Sequence, residues 1–263
     1  MDNVLIFAGT TEGRILAAEL EKSGCHVMVS VATDYGKEIL NPGKNIQVHT
    51  GRMDGQEMAE FLIKNQIDLV IDATHPYAKE VTRQIDLACK RTNTEKIRCL
   101  RSEELLTEQE REELEPWMIH ISSAREAAKW LDDRSGNILL CTGSKELPVF
   151  AELSDFENRI YARVLPVVPV LEACRKLGLK GRHIIAAQGP FSVELNLAMI
   201  KEYNCRFLVT KDGGKEGGYL EKVRAAAMAE IPVLVIDRPK EEAGMSADEV
   251  IQWYERRKRR QIL

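Results

Sequence analysis

Short apolar runs alternate with amphipathic stretches almost from one end of the chain to the other. Residues 4–8, 27–31, 46–49, 69–71 and 97–100 read as five short, largely apolar strands. Helical spacing fills the intervals at 12–22, 35–40, 55–64 and 78–91. The second half repeats the pattern, with strands at 117–121, 138–141, 160–164, 183–187, 206–209 and 233–236. Its helices are predicted at 124–131, 168–176, 192–202, 222–229 and 247–260. Strands this short, joined by helical crossovers, imply parallel sheets, because a parallel neighbour cannot be reached through a tight hairpin. Eleven strands exceed one comfortable open sheet, so the pattern predicts two.

The seam is expected at 101–116, where seven glutamates crowd a segment with few apolar residues. Such a run reads as a solvated connector or helix face and is assigned no chemistry. The expected fold class is α/β, with two Rossmann-like lobes of mainly parallel sheets and an inter-lobe cleft. Residues 1–101 would form the N-terminal, cofactor-binding lobe and 102–263 the C-terminal lobe that lines the substrate cleft.

Composition narrows the partners. The 263 residues carry 37 Lys+Arg against 41 Asp+Glu, so no global basic field attracts nucleic acid. The basic run Arg256-Arg257-Lys258-Arg259-Arg260 reads as a solvated helix end, where cations also suit the negative pole. Apolar runs such as 231–236 are far too short to span a bilayer, and the first residues do not read as a secretory signal. Six cysteines without a Cys-x-x-Cys pair read as reduced core thiols of a cytoplasmic protein. Five scattered histidines give no metal-ligand spacing, and no protein-bound metal is expected.

In parallel α/β sheets, ligands sit beyond the carboxyl ends of the strands. After the first strand comes Gly9-Thr10-Thr11-Glu12-Gly13-Arg14, opening into a helix. Gly9 permits a sharp turn, Gly13 a close helix–strand approach, and the free amides suit a phosphate with Arg14 as counter-charge. The alternative is a turn that needs glycine only for packing, since neither Gly-x-Gly-x-x-Gly nor a Walker loop is present. Beyond the second strand, Ser30 and Thr33 leave room for a 2′-phosphate, whereas Asp34 speaks for ribose hydroxyls; helix capping is the other reading of these residues. The fourth strand ends in Asp72-Ala73-Thr74-His75-Pro76-Tyr77-Ala78, where Pro76 is expected to open a helix with His75 and Tyr77 at its N-terminus. His75 is a candidate acid, or a structural hydrogen-bond donor.

Four further strand-end clusters follow in the second half. They are Thr142-Gly143-Ser144-Lys145, Arg163-Val164-Leu165-Pro166, Gln188-Gly189-Pro190-Phe191-Ser192, and Thr210-Lys211-Asp212-Gly213-Gly214 running on to Gly218. Each combines glycine or proline with polar or cationic side chains, the composition of anion-binding loops. The Lys211 loop is the richest in glycine and is expected to act as a lid.

These motifs together resemble the precorrin-6A reductase family of corrin biosynthesis. The resemblance rests on the Gly9–Arg14 turn, Asp72-Ala73-Thr74-His75-Pro76-Tyr77-Ala78, Arg163-Val164-Leu165-Pro166, Gln188-Gly189-Pro190-Phe191-Ser192, Thr210-Lys211-Asp212-x-Gly214 and Arg238-Pro239, in family order. Ala8 departs from it, standing where the family usually shows a second glycine. The resemblance implies NADPH or NADH as cofactor and a tetrapyrrole (corrin precursor) as substrate, precorrin-6A or its cobalt form. Hydride would pass to one ring carbon and a proton to its neighbour, giving the dihydro (6B) product. It implies Gly9, Thr10, Thr11, Glu12, Gly13, Arg14, Ser30 and Thr33 on the cofactor. His75, Tyr77, Lys211 and Asp212 would line the reacting face, with the proton donor open among His75, Tyr77, Lys211 and solvent. Lys145, Arg163, Gln188, Ser192, Gly214 and Arg238 would meet the ring's many carboxylates. The rival enzymatic reading of twin Rossmann-like lobes is a sugar-nucleotide transferase or epimerase.

Overall fold

Strands form wherever the apolar runs stand, and they collect into two sheets that are parallel throughout. The computed structural model describes residues 2–40, 46–101, 106–214, 217–239 and 243–261. β1 (Asn3–Ala8), β2 (His26–Val31), β3 (Ile46–Thr50), β4 (Leu69–Ala73) and β5 (Glu95–Arg98) form the first sheet, in the order β3-β2-β1-β4-β5. β6 (Met118–Ile121), β7 (Asn137–Leu140), β8 (Ile160–Val164), β9 (Ile184–Ala186), β10 (Cys205–Lys211) and β11 (Val233–Ile236) form the second, in the order β6-β11-β10-β7-β8-β9. No helix among the described residues is long and apolar enough to cross a membrane.

The three central strands of the first sheet, β1, β2 and β4, read as nearly continuous apolar runs because both faces are covered. Val4, Ile6 and Ala8 of β1 turn to one face, where they pack with Leu16, Ala17 and Leu20 of the helix Thr11–Lys22. Leu5 and Phe7 turn to the other, against Met58 and Leu62 of the helix Gly55–Lys64 and Ile85 and Ala88 of the helix Lys79–Thr92. A one-residue slip of β1 would exchange the two sets.

The chain divides into two units, residues 1–102 with 239–263, and residues 103–238. The expected boundary differs here: the reading that gave everything after 101 to the second lobe is corrected for the C-terminal segment, while residue 102 lies outside the described residues. Met245 extends the β5 edge, accepting from Leu100 N at 2.8 Å and donating to Arg98 O at 2.9 Å. The helix Ala247–Gln261 then buries Val250 and Tyr254 in the core of the first unit. Each such side chain is worth roughly 1.5–3 kcal/mol on burial. The basic end of this helix serves that docking, since Arg257 pairs with Asp2 and Glu95 and Lys258 donates to Ser23 O.

In the second unit the acidic segment contains a helix, Glu108–Leu114, the second of the two readings its sequence left open. Thr107 and Glu110 cap it reciprocally, Leu114 is buried with Leu139, Leu208 and Val223, and Glu110 pairs with Arg224. The glutamates mask a helix held by one apolar anchor and one ion pair.

Candidate active site

Strand order reverses between β1 and β4 in the first unit, which opens a crevice above their carboxyl ends. Thr10 caps the helix Thr11–Lys22, accepting from Gly13 N at 3.4 Å, and its hydroxyl donates to Ala73 O at 2.9 Å. One side chain thus ties the end of β4 to the helix that follows β1. The two glycines of the turn do different work. A Cβ on Gly13 would lie 2.9 Å from Ala8 Cβ and 3.4 Å from Ala73 Cβ, so the helix can sit this close only without one. A Cβ on Gly9 would meet only His75 N, at 4.0 Å, which leaves Gly9 exposed beneath open space.

Arg14 donates to Thr11 Oγ1 at 2.9 Å, a contact between two of the predicted cofactor residues. Glu12 is buried and paired with Arg101 at 3.4 Å, so its carboxylate does not face the helix N-terminus as an uncompensated charge. Ser30 is buried near the end of β2, in register with Phe7 and His49 on the flanking strands. Thr33 accepts from Gly36 N at 3.1 Å and caps the helix Asp34–Leu40, with Asp34 in the first turn. The capping role offered for Thr33 is therefore present.

The loop after β4 is braced from below. Asp72, fully buried, accepts from Thr74 N at 3.1 Å, Thr74 Oγ1 at 2.7 Å and Arg98 Nη1 at 2.9 Å. Arg98 also donates to Thr74 O at 3.1 Å. The next helix begins only at Lys79, so the expectation that Pro76 opens it is corrected: Pro76 sits in a turn that Ala78 N closes on His75 O at 2.7 Å. His75 and Tyr77 lie together, both half-buried, with ring centroids 5.5 Å apart. His75 Nδ1 accepts from Tyr77 N at 3.4 Å, a geometry that leaves Nε2 as the nitrogen able to give a proton.

In the second unit the order reverses between β7 and β10. Lys211, at the end of β10, donates to Glu146 Oε1 at 2.9 Å in the loop after β7. Thr142, buried at the start of that loop, has an Oγ1 without a hydrogen-bond partner among the described residues, while Lys145 is exposed. Asp212 accepts from Gly214 N at 3.2 Å and pairs with Arg238 at 3.5 Å. Gly214 has φ 62°, a left-handed conformation that favours glycine. The lid expected of the Lys211 loop rests partly on 215–216, which lie outside the described residues.

Of the remaining candidates, Gln188 and Ser192 are exposed, and Ser192 caps the helix Val193–Glu202 by accepting from Leu195 N at 3.3 Å. Its hydroxyl also holds the Glu194 carboxyl below the ordinary carboxylate range. Arg163 is buried, with its guanidinium on Asn196 Oδ1 at 2.6 Å and 4.3 Å above the centre of the Phe191 ring. Arg98, Arg101, Glu146 and Asn196 were missed as supports by sequence reasoning. Asn196 did leave a signal, a polar residue four positions from Ser192 and from Ile200 on the buried stripe of its helix.

Two Rossmann-like units, each with glycine turns and charged side chains gathered at the carboxyl edge of a parallel sheet, define a two-unit α/β protein. A family model described as Precorrin-6x reductase CbiJ/CobK matches residues 3–255, and the chain belongs to that family. It is 36% identical to the cobalt-precorrin-6A reductase of Priestia megaterium over 245 residues, 92% of each chain. Its identity to the Salmonella typhimurium enzyme of the same name is 36% over 240 residues, 90% of this chain and 88% of that one. A solved structure, CobK precorrin-6A reductase, shares the fold with a TM-score of 0.76 at 24% identity, covering 96% of both chains. Family membership makes the chain an oxidoreductase of cobalamin biosynthesis and favours the reductase reading over the sugar-nucleotide one.

Proposed function

We propose that the chain reduces cobalt-precorrin-6A to the 6B product with a reduced nicotinamide, NADPH or NADH, as hydride donor. The observation that carries the cofactor reading is the Gly9–Gly13 turn at the reversal of the first sheet, with Gly9 open above and the helix N-terminus behind it. The residues present fit a dinucleotide phosphate: amides at Thr11 and Glu12, a Glu12 carboxylate paired with Arg101, and Arg14 braced by Thr11. Ser30 and Thr33 stand where the adenosine ribose would reach. The bound nicotinamide supplies the hydride; the protein orients it and excludes water.

His75 and Tyr77 would line the nicotinamide side, and His75 Nε2, Tyr77 and Lys211 are the side-chain candidates for the proton. Lys145, Gln188, Ser192, Gly214 and Arg238 would answer the ring's carboxylates, with Asp212 holding Arg238 in place and Arg163 serving the same surface from beneath Phe191. The cobalt form is preferred over the metal-free ring because the Priestia and Salmonella relatives carry that name.

The test is calorimetric binding of NADPH and NADH, followed by oxidation of each with cobalt-precorrin-6A and with precorrin-6A. Substrate-dependent oxidation establishes the reductase, and the preferred ring form fixes the substrate. No binding of either nicotinamide, with or without substrate, refutes the cofactor assignment.

A further inference from the structure

We infer that Asn196 is a positioning residue for substrate recognition, and that Arg163 acts with it rather than as an independent carboxylate clamp. The inference rests on the proposal that the Gln188–Ser192 loop meets the corrin substrate. Asn196 has no exposed surface, yet every hydrogen-bonding group of its amide is used. Its Oδ1 accepts from Arg163 Nη1 at 2.6 Å, and its Nδ2 donates to Phe191 O at 3.1 Å and Ser192 O at 2.8 Å. The guanidinium of Arg163 lies over the Phe191 ring, 4.3 Å from its centre. The loop is thus gripped at one residue from two directions, by its backbone through Asn196 and by its ring through Arg163.

A buried amide with three satisfied bonds is a rigid device, because loss of any arm leaves a buried polar group unpaired. The other side of the loop is also seated. A Cβ on Gly218 would lie 3.3 Å from Pro190 Cβ, so Pro190 rests on the backbone of the glycine loop, and buried Lys222 donates to Gly217 O and to Gly218 O. Asn196 therefore sets where Gln188 and Ser192 stand relative to the glycine loop that carries Gly214. This explains why a cation expected to meet the substrate's carboxylates is instead buried beneath Phe191.

The experiment compares Asn196→Ala, Asn196→Asp, Arg163→Ala and the Arg163→Ala/Asn196→Ala double variant. Asn196→Asp keeps an acceptor for Arg163 but sets carboxylate oxygens against the Phe191 and Ser192 carbonyls, so it releases the loop while retaining the pair. Each single variant should raise the KM for the corrin substrate by about tenfold, with the nicotinamide KM unchanged. The double variant should be no worse than the singles, because the two residues act as one unit. Amide hydrogen exchange across residues 188–192 should quicken in both Asn196 variants, a readout that needs no substrate.

Additive losses in the double variant, or wild-type exchange in Asn196→Asp, would overturn the inference and return Arg163 to a direct clamp. Global unfolding of both Asn196 variants would also overturn it, in favour of a purely structural core role. If the wild-type protein shows no substrate-dependent oxidation while exchange quickens as stated, the functional reading fails and the positioning of the loop stands.

Discussion

Lys211 donates to Glu146 at 2.9 Å across the strand reversal of the second sheet, joining the end of β10 to the loop after β7. Both side chains are partly exposed, 16% and 30%, so solvent screening limits what the pair adds to stability. Its consequence is orientation: the ammonium is held at the carboxyl edge of the sheet. Glu146→Gln should therefore cost no more than about 1 kcal/mol of stability. If Lys211 gives the proton, Lys211→Met should lower kcat by on the order of 10²-fold with unchanged nicotinamide affinity. Wild-type turnover in that variant, measured with the cobalt-containing ring, would remove Lys211 from the chemistry.

Gly9 and Gly13 make opposite predictions from one turn. Gly13→Ala drives a Cβ to 2.9 Å from Ala8 Cβ, between packed backbone elements that cannot give way, and should destabilise the first unit by about 1–3 kcal/mol. Gly9→Val meets open space, so the fold should survive while nicotinamide affinity drops at least on the order of tenfold. Thermal unfolding and calorimetry separate the two variants. Retained nicotinamide affinity in a folded Gly9→Val protein would refute the phosphate-turn assignment.

How far the sequence announces all this depends on the range of the interaction. The central strands are legible because burial on two faces writes itself as a local apolar run, as in Leu5, Ile6 and Phe7. The loops are legible because Gly9 and His75 follow such runs within two residues and Arg163 and Lys211 stand at the carboxyl ends of theirs. The supports are not, since each acts over a long sequence distance: Arg98 reaches Asp72, Arg101 reaches Glu12, and Glu146 reaches Lys211. The helix 247–260 is read correctly from its periodicity, but nothing local says that Tyr254 turns back to Asp2 near the opposite end of the chain. The bounds of the helix Glu108–Leu114 are not legible for the reverse reason, as its one buried residue, Leu114, gives no period to detect.

Asp72 and Arg98 form a buried ion pair at 2.9 Å that also holds Thr74, two residues before Pro76. Removing one partner leaves the other charged and buried, which typically costs about 3–5 kcal/mol. Asp72→Ala should show that loss, whereas Asp72→Asn keeps an acceptor for Thr74 and should lose less. The measurement is the denaturant midpoint of each variant. Equal midpoints for wild type and Asp72→Ala would mean that the pair adds nothing to the fold, and that the His75 loop is held by other contacts.

The buried thiols give the protein a pH dependence of known sign. Burial pushes Cys89 up to about 11 and Cys205 up to about 12, from an ordinary thiol value of 9.0. In the unfolded chain both would lose their protons near that ordinary value, while the folded protein keeps them. The stability they confer is therefore complete below about pH 9 and is lost as pH rises through the folded values. Chemical unfolding at about pH 8 and about pH 10 should show wild type losing more stability than Cys89→Ala/Cys205→Ala, whose slope should be flatter. The same burial should keep both thiols silent toward a thiol reagent at neutral pH until the protein is unfolded. An identical pH slope in the double variant, or rapid labelling of the native protein at Cys89 and Cys205, would show that these thiols are not desolvated.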